Sequence, residues 1–201
     1  MENIIETAQS EKRTVTFRGE PYALVGEVPA VGSPAPDFTV YGWQNASKVE
    51  ITLSSLLANR TPILLSVFAS VDTPVSRLQL KNFDNALAHF GDLVIGVHIS
   101  SDLPFTVGRT FRNEEIGNLM GLSDYLDRNF GRAYGVLVED PQVLARAVFV
   151  IDSTGVLRYA EVLPEVTFEP DYNAALDALA GLVSWPEPAA DESEPATSPR
   201  A

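Results

Sequence analysis

The arrangement of apolar and polar positions places the core of this chain before any chemistry is considered. Residues 63–68 (Ile63-Leu64-Leu65-Ser66-Val67-Phe68) and 93–100 (Leu93-Val94-Ile95-Gly96-Val97-His98-Ile99-Ser100) are near-continuous apolar runs. That is the pattern of strands covered on both faces, as in a parallel sheet. Residues 143–151 form a third such run. Between the first two, Val75, Leu78, Leu80, Phe83, Leu87 and Phe90 recur at broadly helical spacing and predict a helix over residues 74 to about 90. Thr73 is placed to cap that helix, and Pro74 stands at its first position, where a missing N–H costs nothing. The stretch from Phe68 to Ser76 is therefore a strand-to-helix corner. Ligand sites of open α/β sheets lie at such corners, outside the carboxyl ends of the strands. Ser76 falls in the first helical turn, where free N–H groups and the helix dipole favour negative charge.

The remaining elements follow from turn and cap signals. Residues 14–25 read as two short strands around a Gly19-containing turn, an N-terminal β-hairpin. Residues 31–37 are a Pro/Gly-rich crossing loop, 38–41 a strand, and Thr52 caps a short helix over 53–57. A helix is predicted over 102–112, opening with Leu103-Pro104-Phe105, and a short strand over 119–122. Ser123 is expected to cap a helix containing Tyr125, Leu126, Phe130 and Tyr134. After the third apolar run, Asp152-Ser153-Thr154-Gly155 makes a turn and residues 156–162 return as a hairpin partner. Asp171 caps a last helix over 172–183, with Leu176, Leu179 and Leu182 inward. No internal repeat is visible. The order β-α-β-α-(β)-α-β-β-α around one mixed sheet predicts an α/β fold of thioredoxin-like type over 14–183, with helices flanking the sheet and the hairpin added at its amino end. Residues 1–13 are expected to be a flexible arm. The Pro-, Glu-, Ala- and Ser-rich residues 184–201 are expected to be a disordered acidic tail.

The formal net charge of −13 argues against nucleic acid as a partner, since that binding is driven by Lys and Arg on phosphates. No apolar run approaches the roughly 18 residues of a membrane helix. The amino end lacks the basic and apolar regions of a secretory signal, so a cytoplasmic protein is expected. There is no cysteine, which removes disulfides, thiolate-held metals and thiol redox chemistry. With His89 and His98 as the only histidines, a multi-histidine metal site is not expected, and no cofactor is called for.

Four segments carry a resemblance to the bacterial thiol peroxidases, a branch of the peroxiredoxins. Ser70-Val71-Asp72-Thr73-Pro74-Val75-Ser76 resembles that family's peroxidatic loop, whose last position is cysteine. Ser100-Ser101-Asp102-Leu103-Pro104-Phe105, with Arg109 beyond, resembles the stretch leading to the resolving cysteine. Ala145-Arg146-Ala147-Val148-Phe149-Val150-Ile151-Asp152 resembles the strand bearing the active-site arginine, and Glu165-Val166-Thr167-Phe168-Glu169-Pro170-Asp171-Tyr172 the run before the last helix. In the family a cysteine thiolate attacks peroxide, becomes a sulfenic acid, and is resolved by a second cysteine and thioredoxin. By this resemblance the peroxidatic position here is Ser76, the resolving position is Phe111, and the active-site proline has become Ala69. Thr73 and Arg146 are retained. The resemblance also implies a homodimer, or a subunit docked in a larger assembly, through the face near the active-site loop.

Three readings of the corner compete. In the first, Thr73, Ser76 and Arg146 are a vestigial pocket in a redox-inactive protein that works as a binding, structural or regulatory subunit. In the second, the same pocket retains peroxidase-like or other enzymatic activity. A serine nucleophile needs a general base, however, and His89 lies some three and a half helical turns away, roughly 20 Å. In the third, Thr73, Ser76 and Arg146 bind a small anion as a sensor, unless Arg146 is neutralised by a carboxylate such as Asp72. His98, among Ile95, Val97 and Ile99, reads as a hydrogen-bonded core histidine. Phe111 reads as a packed plug or an apolar contact, and Glu114 and Glu115 as solvated charges.

Overall fold

The computed structural model describes residues 13–45 and 47–184. Its strands are β1 (Thr14–Phe17), β2 (Glu20–Val25), β3 (Thr39–Gln44), β4 (Ser47–Thr52), β5 (Ile63–Val67), β6 (Ile95–Ser100), β7 (Met120–Ser123), β8 (Leu137–Val138), β9 (Ala147–Ile151) and β10 (Leu157–Val162). Its helices are α1 (Leu53–Leu56), α2 (Pro74–Leu87), α3 (Pro104–Asn113), α4 (Asn129–Ala133) and α5 (Tyr172–Ala180). Strand β5 is an interior strand, third in a seven-stranded mixed sheet of order β10-β9-β5-β6-β7-β3-β4. It runs parallel to β6 and antiparallel to β9, which places Ser66 opposite both His98 and Val148.

The continuous apolar runs are explained by cover on both faces of this sheet. Ile63, Leu65, Val67, Val97, Ile99, Phe149 and Ile151 pack with Phe38, Phe130 and Tyr134. Leu64, Phe68, Val148 and Val150 point the other way, against Leu80, Phe83 and Leu87 of α2 and Ala175 and Leu179 of α5. The expected hairpin is present as β1 and β2, which join β8 in a separate three-stranded sheet. The Glu165 carboxylate holds its tip, accepting from the Thr16 hydroxyl and from the Arg18 and Gly19 N–H groups at 2.8–3.2 Å. The expected caps at Thr52, Thr73 and Asp171 each accept a hydrogen bond from the first helical turn. The arm and tail expected at the two ends fall, apart from Arg13 and Ser184, outside the described residues. Among the described residues no helix is long and apolar enough to cross a membrane.

Several elements differ from the expectation. Ser123 does not cap a helix; it ends β7, pairs with Tyr41 and Ser100, and its hydroxyl donates to the Asp102 carbonyl. Tyr125 and Leu126 lie in a loop, and α4 begins only at Asn129, after Arg128 in the left-handed region at φ 55°. The start of α4 is held instead by the buried Asp124 carboxylate, which accepts from the Phe130 and Gly131 N–H groups at 3.2 and 2.9 Å. Strand β3 runs on to Gln44 and turns into β4, an edge strand whose Lys48 and Glu50 face solvent and hid it among polar residues. The third apolar run starts as a strand only at Ala147, and β8 was not anticipated. Helices α2 and α5 stop three residues early. Beyond each, tight i-to-i+3 turns carry the chain, through Phe90 N–H to Leu87 O and Val183 N–H to Ala180 O.

Burial pushes the Asp124 carboxyl up to about 6, against the two N–H groups that favour its charge. Removing the side chain leaves those two buried donors without acceptors. Asp124→Ala is therefore expected to lose roughly 1–3 kcal/mol, read by urea unfolding at pH 7.

Candidate functional site

The corner after β5 is fixed by the crossover that follows β6. Asp102 accepts from the Ser70 hydroxyl, the Val71 N–H and the Ser100 hydroxyl, each at 2.8 Å. The Ser101 N–H donates to the Ala69 carbonyl at 3.0 Å. Asp102 thus lies ahead of α3 and fastens the loop that presents Ser76. At the end of that loop Thr73 is extended (φ −96°, ψ 145°), and its Oγ1 accepts from the Ser76 N–H. The same hydroxyl donates to Ser76 Oγ at 2.6 Å.

Arg146 enters from the residue before β9. Its Nη2 donates to Ser76 Oγ at 3.3 Å, its Nη1 to Gln79 Oε1 at 2.6 Å, and its Nε to the Val166 carbonyl at 2.8 Å. The structure therefore brings Thr73, Ser76 and Arg146 together as expected. Ser76 is 1% and Arg146 5% exposed, so the slot is closed. No carboxylate forms an ion pair with Arg146 among the described residues; Asp72 is exposed and does not neutralise it. Burial pulls the guanidinium below its ordinary value, while Tyr172 and Glu169 act the other way.

Gln79 and Ser66 complete the site and were missed. Gln79 bridges Arg146 to Ser66, whose hydroxyl accepts from Gln79 Nε2 at 3.0 Å. The available signals were a polar residue three positions after Ser76 on the buried helix face, and a serine inside a wholly buried strand. His98 lies beyond, with Nδ1 3.0 Å from the Ser66 carbonyl. A carbonyl only accepts, so the proton sits on Nδ1, and Nε2 has no hydrogen-bond partner. Burial holds His98 down at about 3, with Arg146 adding to that effect, so the ring is neutral near pH 7. His89 is exposed, as is Arg109. Neither histidine bonds to Ser76, whose hydroxyl meets a hydroxyl and a cation.

Phe111 is half-buried and packed against the cluster under α2. Its ring lies 6.0 Å from that of His98 and above Gly121, where an added Cβ would come within 2.8 Å of Phe111 Cζ. Glu114, expected as a solvated charge, pairs at the surface with Lys81 Nζ at 2.6 Å, which draws its carboxyl below the ordinary value. Among the described residues no group of three or more His, Asp or Glu could hold a metal.

Comparison with known proteins gives this chain a family. The redoxin family matches residues 30–176. Thiol peroxidase from Bacillus subtilis is 38% identical over 84% of this chain and 98% of its own length. That of Mycobacterium tuberculosis is 42% identical over 82% and 97%. This chain belongs to the redoxin family, in its thiol peroxidase branch. A crystal structure of a peroxiredoxin-like protein from Aquifex aeolicus matches with a TM-score of 0.75 and 32% identity, covering 85% of this chain and 98% of that one. A thiol peroxidase from Chromobacterium violaceum matches with a TM-score of 0.74 and 25% identity, covering 84% and 95%. As a thiol peroxidase homologue the chain has the fold of its relatives, and it has no cysteine anywhere in its sequence.

The depressed His98 titration has a defined sign. Because the folded state binds that proton less well than the unfolded chain, the contribution is complete above the ordinary 6.5 and lost as pH falls toward about 3. Asp124, raised by burial, works in the opposite direction between about 4 and 6. His98→Leu is accordingly expected to lose less stability than the parent protein between pH 7 and pH 4, in urea unfolding followed at both values.

Proposed function

We propose that this chain is a redox-inactive member of the thiol peroxidase branch, serving as a binding, structural or regulatory subunit in the cytoplasm. One observation carries the reading. The hydroxyl in the peroxidatic slot is buried and surrounded by two donors, Thr73 Oγ1 and Arg146 Nη2, with no base to take its proton. A serine without a base is a weak nucleophile, and it has no sulfenate to form. With Phe111 at the resolving position there is also no second thiol. The partner surface we favour is the end of the sheet around the corner, where Leu78, Leu103 and Phe105 are about half exposed. A second copy of the chain, or a subunit of a larger assembly, fits that surface.

A second reading rests on the Arg146 guanidinium, whose hydrogen-bond partners are all neutral. A small anion would supply the missing counter-charge beside Thr73 and Ser76, if the slot opened. An anion that binds only the folded protein raises its melting temperature, and Arg146→Ala abolishes that rise.

Peroxide consumption with a thioredoxin reducing system is expected at background, and Ser76→Ala leaves it there. A rate clearly above background that Ser76→Ala removes would overturn the redox-inactive reading. In Ser76→Cys the helix N-terminus and Arg146 should bring the new thiol below the ordinary value of about 8.5, measured by thiolate absorbance against pH. The subunit role fails if the purified protein sediments as a monomer and nothing is captured with it from its native cells.

A further inference from the structure

Four side chains form a continuous row between the slot and α3. The Arg146 guanidinium lies 5.7 Å from the centre of the Phe68 ring. Phe68 stacks on His98 at 4.1 Å and 29°, and His98 faces Phe111 at 6.0 Å and 32°. The row crosses the sheet from the start of β9, over the end of β5, to β6, and finishes on α3. Its first three members are nearly or wholly buried, at 5%, 0% and 0% exposure, whereas Phe111 at the outer end is half-buried.

We propose that Phe111 is a conformational lock on the slot. Through the His98 and Phe68 rings it holds the Arg146 guanidinium against Ser76, so that loosening the ring of Phe111 opens the corner to solvent. Each link is physically specific. A desolvated guanidinium is attracted to the face of an aromatic ring, and parallel offset rings attract one another. Phe68 also begins the corner itself, and its N–H is bonded to Ile99 O, so any shift of its ring moves the loop that ends at Ser76. His98 is tied on one side alone, by Nδ1 to the Ser66 carbonyl at 3.0 Å, because Nε2 has no hydrogen-bond partner. The seat of Phe111 above Gly121 admits the ring only because position 121 has no side chain. Two further ties cross the same boundary, Asp102 to the corner and Lys81 to Glu114, but both are polar and lie at the two ends of α3. The inference does not depend on whether the chain docks a partner.

The test uses Ser76→Cys as a reporter in the full chain, with alkylation by iodoacetamide followed at several pH values above the thiol's own titration, so that access is separated from ionisation. Adding Phe111→Ala is expected to raise the rate at least about tenfold. Leu179→Ala, a truncation in the same core cluster but outside the row, should change it less than about twofold. Phe111→Leu, which keeps most of the volume without the ring, serves if the alanine variant does not fold, and should still exceed Leu179→Ala. Equal acceleration by the row and control variants would show general loosening and overturn the lock. So would no acceleration by either Phe111 variant.

Discussion

A guanidinium is buried in the core of this protein with no ion-paired carboxylate among the described residues, and much of the architecture is arranged to tolerate that. Removing an ion from water costs several kcal/mol even after relaxation. Arg146 offsets this through bonds to Ser76, Gln79 and the Val166 carbonyl, together with the face of Phe68. Those partners belong to the first turns of α2, the loop before α5 and the end of β5. The charge can be accommodated only when all three are in place, so it sets their mutual positions. Glu165, next to Val166, reaches outward and clamps the hairpin tip, which extends the same constraint to the amino end of the described chain.

The electrostatic frame around Ser76 would be potent for a thiol and is nearly inert for an alcohol. A helix N-terminus and a cation can bring a thiol near or below neutral pH. A serine hydroxyl instead requires a base that removes its proton as it attacks. The one buried imidazole is spent on the Ser66 carbonyl and kept neutral by its surroundings. The chain thus has the fold of its family, a guanidinium and a helix N-terminus around Ser76, and no cysteine.

Closure has the same origin. Gln79 and Ser66 form a polar seam inside an otherwise apolar core, satisfied by one another and by Arg146. On the other side the Asp102 carboxylate gathers three donors from the corner and from the end of β6. Such seams are specific because each unsatisfied member would carry a desolvation cost. They favour one arrangement of corner, α2 and α3 over looser ones.

What could be read along the chain was whatever is decided locally. The runs around Ile63, Val97 and Val148 announce strands covered on both faces, and the segments around Ser76 and Arg146 carry the resemblance to the family. Thr52, Thr73 and Asp171 cap their helices because a cap bonds to backbone only a few residues ahead. Ser123 carried the same local signal and failed, since pairing of β7 with β3 and β6 claimed it for the sheet. The bonds from Arg146 to Gln79 and from Gln79 to Ser66, the Lys81–Glu114 pair and the Phe111–His98–Phe68 row all join residues distant along the chain. Only folding brings these groups within reach, and only burial makes their contacts strong enough to close the slot.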